Sequence, residues 1–217
     1  MKLMYIERKK IDNFFKMMNQ SKIRYVLIKN IGNELPNQLK KNKDIDILVH
    51  PEDKRIFKIL MKQNKYLRIL HPYGKEQGWT FLYQMDECYM FCKEGLYVDV
   101  CFQLCCKSLM PKSWIPLDAS INISIWGNRY FDQRESWYVM DDQNLFVYLL
   151  VRCIFDKKEF SPKYIKEIDK YTFLTREQGT TEKLSKIFFK YTPHLLEKLD
   201  KKQYNQILQQ YISFVGY

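Results

Sequence analysis

Residues 44–49 of the chain read Asp-Ile-Asp-Ile-Leu-Val. Polar and apolar residues alternate with a period of two, the pattern of a β-strand buried on one face. On such a strand Asp44 and Asp46 point to one side. Ile45, Ile47 and Val49 point to the other, which is the core. Two carboxylates about 7 Å apart on one strand face repel each other. Folding does not ask for that pair. A divalent cation relieves it, and hard oxygen ligands suit Mg²⁺, with Mn²⁺ as the other candidate. With 13 Asp in 217 residues, chance alone yields about one Asp-x-Asp triplet, so the weight lies in the surroundings of this one.

A second strand pattern, Leu96-Tyr97-Val98-Asp99-Val100-Cys101, follows a turn at Lys93-Glu94-Gly95. Val98 and Val100 take the core side, and Asp99 shares its face with Tyr97 and Cys101. If this strand neighbours residues 44–49, three carboxylates converge. Such a triad can hold one or two Mg²⁺ ions, orient a nucleoside triphosphate and accept the proton of an attacking hydroxyl. The plain alternative for Asp99 is a strand-edge carboxylate paired with a nearby lysine.

The rest of the chain supplies the frame. Ile11, Phe14, Phe15 and Met18 recur at helical spacing and predict an amphipathic helix over 7–20. Tyr25-Val26-Leu27-Ile28 reads as a buried strand. Residues 30–43, with Gly32 and Pro36, read as a loop or short helix. A helix then runs to about Asn64, with Ile56, Phe57, Ile59 and Leu60 on its buried face. Residues 78–92 read as two antiparallel strands around Asp86-Glu87, with Trp79, Phe81 and Tyr83 on one face. Trp126-Gly127-Asn128 reads as a turn flanked by short strands. Residues 143–155 are apolar almost all round and predict a central helix. Ser161 and Pro162 read as the cap and first position of another, and two more fill 181–215. The expected class is α+β: a mixed sheet flanked by helices, comprising residues 1–140, and a helical subdomain over 141–217 packed on it.

Composition narrows the partners. Hydrophobic residues make up 46% of the chain, with 14 Phe and 16 Tyr, enough for a packed core. No apolar run approaches the roughly 18 residues that span a bilayer, and the N-terminal residues lack the apolar stretch of a signal peptide. The expected location is therefore the cytosol, free or against the inner face of the membrane. Cys88, Cys92, Cys101, Cys105, Cys106 and Cys153 then read as reduced and mostly buried thiols. No Cys-x-x-Cys pair and three scattered His argue against zinc. Of the net charge of +11, residues 1–110 carry +8. That excess favours anionic partners: nucleotides, nucleic acid or an anionic membrane surface, against the plain alternative of a solvated lysine-rich surface. Lys29, at the end of the first strand, can reach a phosphate or steady the carboxylates. Lys40, Lys41 and Lys43 form a basic run just before Asp44. The sequence contains no phosphate-binding P-loop, no Gly-x-Gly-x-x-Gly, no Gly-x-Ser-x-Gly and no His-Glu-x-x-His.

A helix, a strand ending in a glycine-containing loop, Asp-h-Asp-h on the next strand and a lone Asp on a later one resemble the nucleotidyltransferase superfamily typified by DNA polymerase β. Ile31-Gly32-Asn33 stands where that family has hG[GS]. Ten residues intervene before Asp44-Ile45-Asp46-Ile47, which stands for Dh[DE]h. More closely, VLIKNIGNELP over 26–36 followed by NKDIDILV over 42–49 is similar to a group of poorly characterised bacterial nucleotidyltransferase-like proteins, many of them found with surface-polysaccharide genes. The resemblance covers residues 22–101. It implies that Asp44 and Asp46 bind Mg²⁺, that Asp99 is the third ligand and base, and that Gly32 approaches the phosphates through its backbone. It places Asn33 at the cradle of the triphosphate and suggests a lysine and an aromatic from the helical subdomain, Lys163 or Tyr164; Lys29 and Lys43 join the nucleotide-binding set on their positions alone, against the plain alternative of solvated lysines. Two departures stand out: Asn33 replaces a Gly or Ser, and Asn42-Lys43 stands where many members carry Gly-Ser.

Three functions fit these residues. The first is a Mg²⁺-dependent enzyme that moves a nucleoside monophosphate from a triphosphate to a hydroxyl or phosphate acceptor, as in polysaccharide biosynthesis. The second is an inactive relative that works as a binding or regulatory module, for which the altered loop at Asn33 and the basic charge speak. The third is a glycosyltransferase using Asp-x-Asp to hold a metal and a nucleotide-sugar. The arrival of the motif after a single helix and strand argues against that one.

Overall fold

A computed structural model describes residues 4–41, 43–69, 88–107 and 114–213. The expected strand at 78–87, with Trp79, Phe81 and Tyr83, lies outside the described residues. The chain opens with helix α1 (Arg8–Gln20), whose buried stripe is Ile11, Phe14, Phe15 and Met18. Strands β1 (Tyr25–Leu27) and β2 (Asp44–Val49) follow, then a short 3₁₀ turn and helix α2 (Lys54–Gln63). Next come β3 (Leu67–Ile69), β4 (Cys88–Lys93), β5 (Leu96–Cys101), β6 (Cys105–Lys107), β7 (Trp114–Pro116), helix α3 (Ala119–Asn128), β8 (Tyr130–Asp132) and β9 (Trp137–Val139).

The remainder is helical. Helix α4 (Asp142–Val151) runs on into a π-helical turn over Arg152–Lys157. Helices α5 (Pro162–Ile168), α6 (Gln178–Phe188), α7 (Thr192–Asp200) and α8 (Tyr204–Ser213) complete it. Among the described residues, 181–213 thus hold three α-helices in part or whole rather than two. Thr192 and Pro193 begin α7 where the run from α6 would otherwise continue, because proline cannot donate inside a helix.

Among the described residues, β1–β5, β8 and β9 form one mixed sheet in the order β3-β4-β5-β2-β1-β9-β8. β2 runs antiparallel to β1 and parallel to β5. Helices α1 and α2 cover one face. Phe14, Phe15, Phe57 and Met61 pack there against Ile45, Ile47, Val49, Val98 and Val100. Each such fully buried side chain stabilises the fold by roughly 1.5–3 kcal/mol. The opposite face is covered by α3 and the C-terminal helices: Leu48 joins a core with Phe146, Leu150, Leu184 and Leu195. The helical segment and the sheet therefore share one continuous core.

Four local expectations are corrected. Trp126-Gly127-Asn128 closes α3 instead of forming a turn: Asp118 caps the helix by accepting from the Ser120 N–H at 2.9 Å, and Ile121 and Ile125 anchor it. Ile56 and Ile59 are exposed, because α2 turns Phe57 and Met61 inward and a residue two positions after Phe57 lies on the far side of a helix. Ser161 precedes α5 as expected, but its side chain makes no capping bond. Of the cysteines whose side chains are described, Cys106 and Cys153 are buried, while Cys92, Cys101 and Cys105 are half-buried; these are free thiols. The fraction buried is thus lower than expected.

Candidate active site

The alternating pattern of β5 buries Leu96, Val98 and Val100 and leaves Tyr97, Asp99 and Cys101 on the other face. β2 behaves the same way over Asp44–Ile47. Parallel pairing then places Asp46 directly opposite Asp99 and Asp44 opposite Tyr97. The outcome is a triad: oxygens of Asp44, Asp46 and Asp99 lie within 4.8 Å of one another. Among the described residues no other group of His, Cys, Asp and Glu meets this closely. Past the triad the same face becomes apolar with Leu48, so the carboxylates sit at the rim of the core shared with the C-terminal helices.

The electrostatics of the triad are uneven. Burial first, then the charges of Asp46 and Asp44, push the Asp99 carboxyl up to about 8. Burial also acts against the charge of Asp46, but Lys29 and Arg152 outweigh it and hold Asp46 below its ordinary value. Lys29 forms an ion pair with Asp46, their side chains only 11% and 20% exposed. Its position follows from β1: the Ile28 N–H donates to the Asp46 carbonyl at 3.0 Å, which carries the next residue alongside the carboxylates.

The loop after β1 turns sharply. Gly32 has φ +70° and Asn33 φ +53°, both left-handed. Asn30 braces the loop: its side chain accepts from the Leu35 N–H at 3.0 Å and donates to the Leu35 carbonyl at 3.2 Å. The Asn33 N–H donates to the Asn30 carbonyl at 3.1 Å, so it is committed to the turn. Lys163, at the start of α5, lies across Gly32. A Cβ placed on Gly32 would come within 2.5 Å of the Lys163 Cε. The Lys163 ammonium forms an ion pair with Glu34 in the same loop. Lys43 is exposed just ahead of β2.

Arg152 was not singled out in the sequence. It enters from the π-helical turn, donating through Nη1 to Asp156 at 3.1 Å and through Nε to the Tyr164 hydroxyl at 3.4 Å. Burial opposes its charge, but Tyr148, Asp46, Tyr164 and Asp156 keep the guanidinium firmly protonated. Asp156 is only 4% exposed and also accepts the Lys107 N–H at 2.9 Å. Lys157 stands beside them, its basicity lowered by burial and then by the nearby charges of Arg152 and Lys29. The signal available in the sequence was weak: an Arg and an Asp four apart at the end of an otherwise apolar helix.

The three carboxylates lie close enough together that they could hold a metal ion, with Lys29 and Arg152, each paired with a carboxylate, beside them. The donor set fits Mg²⁺ or Mn²⁺, because all three candidate ligands are carboxylate oxygens. The sequence matches no protein-family model, and no curated protein matches it.

Proposed function

We propose that this protein is a Mg²⁺- or Mn²⁺-dependent nucleotidyltransferase with a nucleotidyltransferase-like sheet. The observation that carries the reading is the meeting of Asp44, Asp46 and Asp99 on one sheet face beside the half-buried cations Lys29 and Arg152. The three carboxylates would hold the ion, which when bound supplies charge neutralisation at the transferred phosphoryl group. Lys29, Arg152 and Lys157 would face the triphosphate and offset its charge, and the Gly32 backbone opens to it once the Lys163 side chain lying across it swings aside. In the reaction an acceptor oxygen forms a bond to the α-phosphorus. The bond to the bridging oxygen breaks, pyrophosphate departs, and the acceptor proton passes to the Asp99 carboxylate.

A second reading, a binding module without chemistry, is favoured by Lys29, which already supplies Asp46 with a cation. One experiment separates the two. Each of the four nucleoside triphosphates is tested with Mg²⁺ for thermal protection of the full chain and for pyrophosphate release with a mixed pool of hydroxyl and phosphate acceptors. Protection and release that both vanish in Asp44→Asn/Asp46→Asn support the transferase. Protection without release supports the module. Protection by nucleotide-sugars but not by triphosphates overturns the proposal.

A further inference from the structure

Residues 54–69, α2 with the turn and strand after it, contain Lys54, Arg55, Lys58, Lys62, Lys65 and Arg68 and no Asp or Glu. More than half of the chain's net charge of +11 is thus concentrated on one short stretch. α2 buries Phe57 and Met61 against the sheet, so its opposite side faces outward. Arg55 and Lys62 are exposed there, and Lys65 is exposed in the turn that follows. Between them stand two isoleucines, Ile56 at 57% and Ile59 at 46% exposure. Spaced three apart, the isoleucines are neighbours on the helix surface, as are Arg55 and Lys58, and Ile59 and Lys62. The two acids just before α2 in the chain, Glu52 and Asp53, are engaged by Arg24 at 2.9 and 2.7 Å.

A purely ionic partner such as nucleic acid uses the cations of this face but not its isoleucines. A bilayer rich in anionic phospholipid uses both: headgroup phosphates meet the cations, and the aliphatic pair enters the boundary with the acyl chains. We propose that the outer face of α2 docks this protein on an anionic phospholipid membrane. This surface is independent of the carboxylate site. α2 covers the sheet face opposite Asp44, Asp46 and Asp99, so a docked molecule turns those carboxylates toward the aqueous side.

The test is co-sedimentation of the full chain with vesicles of phosphatidylglycerol and phosphatidylcholine in equal parts, against vesicles of phosphatidylcholine alone. Binding is expected only to the first and should weaken with added salt. Each neutralised cation should lower the partition about fivefold, so Arg55→Gln/Lys62→Gln/Lys65→Gln loses roughly a hundredfold. Ile56→Ser/Ile59→Ser keeps all the charge and should still lose severalfold. Circular dichroism checks that each variant folds, and Lys62→Gln alone substitutes for the triple variant if that one does not. Equal binding to both vesicle types overturns the proposal, as does wild-type partition in either variant set. Tighter binding to single- or double-stranded nucleic acid than to vesicles, lost with the charges but unchanged by the isoleucine pair, assigns the face to nucleic acid and overturns it too.

Discussion

Asp46 and Asp99 are cross-strand partners in a parallel pair, fifty-three residues apart in the chain yet directly opposite each other on β2 and β5. Two carboxylates in that relation, with a third from Asp44, form an arrangement that a folded chain sustains only by protonating one of them or by supplying cations.

That balance makes metal-free stability depend on pH with a definite sign. Asp99 binds its proton more tightly in the folded chain, up to about 8, than in the unfolded chain, near 3.9. The folded state therefore holds the extra proton between those values. Its stability falls as pH rises through that window and levels above it. Asp46 is shifted the other way, so its contribution is complete above the unfolded value and does not mask the trend. Urea unfolding without divalent ions should show Asp99→Asn gaining at least about 1 kcal/mol on wild type between mildly acidic and mildly alkaline pH. A difference that stays flat with pH would contradict this account.

Lys29→Met should remove the cation closest to Asp46 and destabilise the metal-free protein by about 2 kcal/mol, since a partly buried carboxylate loses its partner. In Lys29→Met/Asp46→Asn most of that loss should return. The coupling is read from the four melting curves of a double-mutant cycle.

Gly32→Ala forces an alanine into φ +70° and should cost about 1–2 kcal/mol. The added methyl also meets Lys163, whose flexible end can move aside. The loss should therefore persist in a Lys163→Ala background. Guanidinium denaturation of the single and double variants compares the two.

Arg152→Met leaves Asp156 buried without its guanidinium and should destabilise by about 3 kcal/mol. Arg152→Lys keeps the charge but cannot bridge Asp156 and Tyr164 together, so it should fall between methionine and wild type. Thermal unfolding ranks the three.

Much of the site was legible because it lies on strands with one buried face. A period of two assigns Asp44, Asp46 and Asp99 to one side and their aliphatic neighbours to the other, with no knowledge of the rest of the chain. The helical stripe of α1 was legible for the same reason. Trp126-Gly127-Asn128 misled because one glycine and one asparagine suggest a turn, whereas the Asp118 cap and the packing of Ile121 and Ile125 decide for helix. In α2 several apolar positions competed for the inside. Only the position of β4, β5 and the segment after them settled it, by seating Phe57 against Phe91 and Phe102.

The sequence by itself determined which way each carboxylate points, because alternation is a property of a single strand. That β5 lies beside β2, that the end of β1 sets Lys29 on Asp46, and that a π-helical turn carries Arg152 to the same place were decided only by the tertiary structure. Strand order and helix docking depend on burying both sheet faces at once, a condition on the whole chain that no local pattern encodes.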